Sequence, residues 1–316
     1  MMEALLKTEG LKKYFNVGGG KLHAVDDVNI EIARGQTMGI VGESGCGKST
    51  WGRLVLRLLD VTAGSVYFEG RDILACSSSE MKKVRSQMQI VFQDPYASLN
   101  PRMSVYELIA EPLIMNHITR NKRELSIKVL GLMRTVGLAT RFAGAYPHEL
   151  DGGRRQRVGI ARALALSPKF IVCDEPVSAL DVSIQAQILN LLMDLQDEMG
   201  LTYMFITHDL SVVKHISDEI TVMYLGRCVE RATAAELFQN PLHPYTRALL
   251  SAIPVPQLRE GFIRKIIRGE VSDPIDPAPG CRFAIRCEEC KPECTQSDPS
   301  EIIQENGHFV ACTLYA

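Results

Sequence analysis

Short apolar runs bounded by turn residues alternate along the chain with longer segments of helical period. That alternation predicts an α/β architecture, a sheet covered by helices. Thr37–Val41, Phe170–Asp174 and Thr202–Thr207 read as buried strands. Ser183–Met199 places Ile184, Ile188, Leu191, Leu192 and Leu195 on one helical face, with Gly200 behind it as a C-cap. A second helical run leads from Lys48 towards Leu59, and Ile220–Tyr224, Gly226-Arg227 and Cys228–Glu230 read as a hairpin at the sheet margin. From about Pro101 to Gln156 helical patterns dominate, which predicts a helical subdomain inserted between two halves of the core. Beyond about Glu236 the chain is punctuated by Pro241, Pro244, Pro254, Pro256, Pro274, Pro277 and Pro279, and regular periodicity fades. This predicts one large domain over 1–235 and a separate C-terminal extension over 236–316.

Charge and composition narrow the class. The 316 residues carry 35 basic and 37 acidic side chains, a net charge of -2, so the basic footprint of a nucleic-acid binder is missing. No apolar run approaches the ~20 residues that span a bilayer, and no signal-peptide-like run opens the chain. A cytoplasmic protein is the expectation. Nine cysteines then imply reduced thiols or metal ligation rather than disulfides. Cys46, Cys76, Cys173 and Cys228 are scattered, whereas Cys281, Cys287, Cys290, Cys294 and Cys312 crowd the tail.

Candidate chemistry begins directly after the first predicted strand. Gly42-Glu43-Ser44-Gly45-Cys46-Gly47-Lys48-Ser49 fits G-x-x-x-x-G-K-S/T between a strand and a helix, the context of a phosphate-binding P-loop. Its glycines allow backbone N–H groups to curl around phosphates, and the helix N-terminus adds positive potential. Gly42, Ser44, Gly45, Cys46, Gly47, Lys48, Ser49 and Thr50 are therefore candidate ATP contacts, with Lys48 towards the β- and γ-phosphates and Ser49 on Mg²⁺. Asp174-Glu175 ends the second strand with two carboxylates. Asp174 is a candidate Mg²⁺ ligand and Glu175 the candidate general base on the attacking water.

Taken in order, these and further motifs over roughly residues 5–235 resemble the ABC transporter ATPase family. That resemblance implies a P-loop NTPase fold with a RecA-like core, an antiparallel β subdomain and a helical subdomain. It makes Tyr14, within Leu11-Lys12-Lys13-Tyr14-Phe15, the aromatic that stacks on adenine, with Phe15 a neighbouring candidate. It makes Gln93, within Val91-Phe92-Gln93-Asp94-Pro95, the Q-loop residue that touches Mg²⁺ or the water, Asp181 the end of the D-loop Ser178-Ala179-Leu180-Asp181, and His208 the switch histidine at the γ-phosphate.

One motif departs from the family. Its signature segment usually reads Leu-Ser-Gly-Gly-Gln, whereas this chain has Leu150-Asp151-Gly152-Gly153-Arg154. In that family two ATPase domains pair head to tail and the signature serves the partner's ATP. By that likeness Asp151 brings an acceptor-only, like-charged carboxylate towards the γ-phosphate, and Arg154 offsets part of the repulsion. Asp151 is equally suited to cap the following helix. The expectation is a pair of non-identical ATPase subunits with one weakened site.

The tail narrows the resemblance. Asn240-Pro241-Leu242-His243-Pro244-Tyr245-Thr246-Arg247-Ala248-Leu249-Leu250 is similar to the segment after the ATPase domain in oligopeptide and dipeptide importers, a group that includes nickel importers. Cys281, Cys287, Cys294 and Cys312 look like the set that in several members ligates a 4Fe–4S cluster, four thiolates being the required number. Cys287-x2-Cys290 also offers a zinc-type step, and either metal would act by folding a core-poor tail. The implied role is a peripheral Mg-ATPase on the cytoplasmic face of a membrane, working with a second ATPase subunit, two permeases and, indirectly, a substrate-binding protein. Peptide is the expected cargo, nickel the alternative, and a soluble ABC ATPase outside transport the alternative class.

Overall fold

The computed structural model describes residues 4–119, 121–253, 269, 274–299, 301–304 and 307–316; Pro254 and Pro256 lie outside them. The first stretch of chain forms β1 (Ala4–Val17), β2 (Gly20–Ala33), β3 (Thr37–Val41), α1 (Lys48–Val55), β4 (Ala63–Phe68) and β5 (Arg71–Asp72). The middle forms α2 (Ser78–Gln87), β6 (Met88–Val91), α3 (Pro95–Ser98), α4 (Val105–Met115), α5 (Lys122–Thr135), α6 (Gly152–Leu164), β7 (Phe170–Asp174), α7 (Val182–Met199) and β8 (Thr202–Ile206). The last stretch forms α8 (Leu210–Ile216), β9 (Glu219–Tyr224), β10 (Arg227–Thr233), α9 (Ala234–Gln239), α10 (Pro244–Ser251), β11 (Glu301–Ile303) and β12 (Phe309–Ala311).

These elements make two compact units, the first from residues 1–33, 37–74 and 207–316, the second from 34–36 and 75–206. In the first unit an antiparallel sheet runs β2-β1-β4-β5, and another set of strands runs β11-β12-β10-β9-β3. Within the latter only β3 and β9 are parallel, and β9 and β10 form the expected hairpin, with its turn at Leu225-Gly226 rather than Gly226-Arg227. Leu5, Leu6, Leu11, Val25, Val28 and Ile32 from the long β1–β2 ribbon and Trp51 from α1 are almost wholly buried, so the apolar surface of this unit drives its closure. In the second unit β8-β7-β6 are parallel, and α6 and α7 pack with each other. Ile188, Leu192 and Leu195 of α7 are buried as its helical period predicts, and Gly200 ends it at φ 65°, a left-handed C-cap.

Two sequence expectations change. The helix after the P-loop stops at Val55, short of Leu59. The proline-punctuated tail is more regular than its composition suggests, because α10 and the β11–β12 pair form within it. Pro244 sits in the first turn of α10, where its missing N–H costs nothing. His243 caps that helix by accepting the Tyr245 N–H at Nδ1 (3.1 Å), a role open only to the neutral ring. Burial lowers the pKa of His243 to about 4 and keeps it neutral. Tyr245 is then fully buried against Tyr224 and Phe283, at centroid distances of 4.7 and 5.3 Å. The described part of 236–316 therefore shares the compact unit of the P-loop.

Candidate functional site

In the first unit the candidate phosphate loop leaves β3, a strand with every residue buried. Gly42 turns at φ 153° and Gly47 at φ 103°; a Cβ at the former would collide with the Met223 carbonyl and at the latter with the Ala24 carbonyl. Glycine is thus required at both by conformation and by space. Gly47, which has no side chain, caps α1 without a side-chain hydrogen bond. Lys48 is 5% exposed and folds back onto the loop, donating to the carbonyls of Gly42 (2.7 Å) and Glu43 (2.9 Å), with Cys46 Sγ at 3.7 Å. The loop thereby holds the ammonium that phosphate chemistry calls for.

Tyr14 stacks on His23 at 3.8 Å and 16° between planes, and its hydroxyl donates to Asp26 Oδ1. Burial first, and the Asp26 hydrogen bond second, push the phenol up to about 12, so it stays a donor across the neutral range. One face of the expected adenine platform is therefore occupied by a second ring, and the two rings form a flat aromatic pair. Asp26 also takes bonds from Arg282 and, at 3.3 Å, from Arg227. His208 is exposed just beyond Thr207, whose N–H donates to Ile40 O (3.1 Å) and so sets the histidine beside the end of β3.

In the second unit β7 delivers Asp174, 3% exposed, and then Glu175, which takes a left-handed φ of 47°. Its N–H donates to Ile206 O (2.9 Å) and its Oε2 accepts from Gln93 Nε2 (2.9 Å). The candidate base and the Q-loop amide, 82 residues apart, are thus brought together. Asp181 caps α7 by accepting the Ile184 N–H (3.0 Å) and the Ser183 hydroxyl (2.8 Å), and these bonds, the backbone one foremost, lower its pKa.

The altered signature lies in the same unit. Leu150 is buried, and Asp151 is the N-cap of α6, with Oδ1 accepting the Arg154 N–H (2.8 Å) and Oδ2 meeting Arg154 Nη1 at 3.1 Å. Arg154 also lies over the Phe142 ring at 4.6 Å. Gly152 and Gly153 face the D-loop and α7: an added Cβ would come within 2.9 Å of Leu180 and 2.6 Å of Ile184. The helix-cap role of Asp151 is therefore realised, and both its oxygens are engaged.

The tail cysteines meet only part of a metal site's demands. Cys281 N–H donates to Cys294 O (2.7 Å), and the thiols of Cys287, Cys294 and Cys312 lie near enough to Cys281 to act on it. Burial, then that neighbourhood, pushes Cys281 up to about 11. Cys294 moves the other way: against the effect of desolvation, bonds from Thr313 Oγ1 (3.1 Å) and the Lys291 N–H (3.4 Å) favour its thiolate. The donor chemistry suits iron or zinc, yet among the described residues no three cysteine, histidine or carboxylate side chains are assembled to hold an ion.

Sequence reading missed Glu43, Asp26, Tyr245, Arg282 and Arg286 as members of this region. Arg286 donates to both Glu43 carboxylate oxygens (2.7 and 3.1 Å), and Tyr245 Oη accepts the Glu43 N–H (2.9 Å). An acid inside an anion-binding loop was the available signal that a cation must lie near, though not of which one.

Comparison with known proteins places these features in context. A family model described as "ABC transporter" matches residues 25–178, and one described as "Oligopeptide/dipeptide transporter, C-terminal region" matches 229–294. A putative oligopeptide transport ATP-binding protein of Bacillus subtilis, YkfD, is 51% identical over 98% of this chain and 95% of its own. The oligopeptide transport ATP-binding protein OppF of Salmonella typhimurium is 50% identical over 98% of this chain and 96% of its own. Among solved structures, the ATP-binding cassette MJ0796, a dimer in a post-hydrolysis state bound to ADP and Pi, superposes with a TM-score of 0.66 at 31% identity, covering 72% of this chain and 98% of that one.

Proposed function

The chain belongs to the ABC transporter family, and from that membership we propose that it is the ATP-hydrolysing subunit of an importer of di- or oligopeptides. The observation that carries the reading is the combination, in one chain, of a complete P-loop at Gly42–Ser49 and a C-terminal region of the oligopeptide/dipeptide type over 229–294. Lys48 and the loop amides hold the β- and γ-phosphates, Ser49, Asp174 and Gln93 serve Mg²⁺, and Glu175 orients the attacking water, with His208 at the γ-phosphate and Tyr14 beside adenine. Catalysis of this kind is positioning plus charge stabilisation, which suits a carboxylate already oriented by an amide. The 2.9 Å bond from Gln93 to Glu175 supports that role.

The subunit works with two membrane permeases and a second ATPase subunit, non-identical because two copies would place Asp151 in both signature segments. No helix among the described residues is long and apolar enough to cross a membrane; in the proposed assembly the permeases attach the subunit to the cytoplasmic face. For Cys281, Cys287, Cys294 and Cys312 the proposed ligand is a 4Fe–4S cluster that staples the tail, with zinc the competing metal. Iron, zinc and acid-labile sulfide measured per anaerobically purified chain separate the two.

The reading is tested by the ATPase of the assembled complex with Glu175→Gln. Turnover should fall at least tenfold while nucleotide binding survives. Turnover close to wild type would show that the working site is not the one completed by Glu175.

A further inference from the structure

Glu43 puts a carboxylate inside a loop built for anions, and each of its polar groups is held. Its carboxylate is gripped by both terminal nitrogens of Arg286, whose side chain is only 8% exposed and also reaches the Tyr224 hydroxyl (3.2 Å). Its N–H is held by the hydroxyl of the fully buried Tyr245. Its carbonyl accepts from Lys48 Nζ at 2.9 Å. Side chain, amide and carbonyl of one loop residue are thus all fixed, two of them by residues 202 and 243 positions downstream. Arg286 itself ends the short helical turn Ala284–Arg286, immediately before Cys287.

We propose that Arg286 is a positioning residue for nucleotide binding, holding Glu43 so that the loop amides and Lys48 are arrayed for phosphate before ATP arrives. This rests on the reading of Gly42–Ser49 as the ATP site. The physical reason is that ordering a loop residue costs ~1–2 kcal/mol of conformational entropy, which a preordered loop does not lose again on binding. The same arginine screens the Glu43 carboxylate from incoming phosphates. Arginine fits the task because its planar fork meets both carboxylate oxygens at once, a geometry that lysine cannot reproduce.

The test uses the full chain and a fluorescent ATP analogue with Mg²⁺, followed by ATPase measurements on the assembled complex. Arg286→Ala should raise the Kd about tenfold and Arg286→Lys about threefold. The loss should fall on KM, with kcat at saturating ATP changed less than twofold, a split that a merely unstable chain would not give. Glu43→Gln should weaken binding on its own yet add less than twofold in the Arg286→Ala background, because both changes break one interaction. If Arg286→Ala does not fold, Arg286→Lys and Glu43→Gln carry the comparison. An Arg286→Ala Kd within twofold of wild type, in a chain whose thermal transition is intact, overturns the inference, as would additive effects in the double variant. Lys48→Ala separates the two levels: if it binds as well as wild type, the ATP-site reading falls, whereas if it loses binding and the Arg286 variants do not, only the positioning role falls.

Discussion

Asp151 joins an observed role, the cap of α6, to a proposed one at the partner's ATP, and a pair of substitutions can pull the two apart. In the structure its Oδ1 caps α6 through the Arg154 N–H and its Oδ2 pairs with the Arg154 guanidinium, both side chains being roughly half exposed. Losing a cap of this type costs about 1 kcal/mol. Losing an exposed pair within one helical turn costs about 0.3 kcal/mol more. Asp151→Ala forfeits both, about 1.3 kcal/mol, which at ~2–4 °C per kcal/mol for a chain of this order lowers the thermal midpoint by about 3–5 °C. Asp151→Ser keeps a competent cap and should move the midpoint by about 1 °C or less. Turnover should follow charge instead. With Arg154 already neutralising part of the carboxylate, a residual repulsion of about 0.5–1 kcal/mol towards the partner's γ-phosphate corresponds to a rate factor of about 2–5. Both variants should therefore raise ATPase at the partner's site, measured in a complex whose other site is silenced by Glu175→Gln, although only one of them is less stable. If Asp151→Ser turns over like wild type while Asp151→Ala is slower, activity tracks the cap and the electrostatic argument is refuted, and with it the case for a non-identical partner.

Two other perturbations probe the first unit. His308 Nε2 meets Glu230, which is 0% exposed and also accepts the Leu242 and His243 N–H groups, so His308→Gln should cost about 3 kcal/mol in denaturant unfolding at pH 6 by stranding a buried carboxylate. Against desolvation, Glu230 and then Glu236 raise the folded-state pKa of His308 above its ordinary ~6.5, so this stabilisation is complete below pH ~6.5 and is lost as pH rises through the folded value; a gap from wild type that widens with pH would contradict the account. Gly47→Ala should abolish nucleotide binding in the fluorescent titration because the new methyl collides with the Ala24 carbonyl, whereas Gly45→Ala, at φ 79° with open space around it, should cost only about 1 kcal/mol of strain; equal behaviour of the two would show that steric approach is not what selects glycine at 47.

Parts of the molecule were legible from the sequence for definite reasons. β3, β7 and β8 are continuous apolar runs, and a continuous run has few readings besides a buried strand. The P-loop was legible because its glycines are demanded by backbone geometry, which the sequence records directly. The β1–β2 ribbon was not located by pattern: its register shifts at several points between Ala4 and Tyr14, and each shift breaks the alternation that would mark a half-buried strand. The Gln93–Glu175 bond was not foreseen: each residue was given a role at Mg²⁺ or the attacking water, but nothing local to either points across 82 positions to the other. The roles of Arg282, Arg286 and His308 were hidden for the same reason: an exposed arginine and one that neutralises a distant buried acid look alike in a single chain.

Those three side chains also bear on how the tail relates to the rest. The prolines suggested a separable extension, and composition alone supports that reading. Three acids of the first 235 residues tell against treating it as dispensable. Asp26 is 4% exposed and bonds Arg282, Glu230 is 0% exposed and bonds His308, and Glu43 is forked by Arg286. Arg282, His308 and Arg286 all come from beyond residue 280, and for an acid as buried as Glu230 the loss of its partner is destabilising by several kcal/mol, ~3–5 when one partner of a buried pair is removed. Residues 1–235 have therefore placed three acids that draw a cation from the tail, Asp26 sharing its own with Arg227. One lies inside the candidate phosphate loop and one beneath the Tyr14 hydroxyl, so any change that loosens the loop from Cys281 to Cys287 reaches both Glu43 and Tyr14 of the same candidate site.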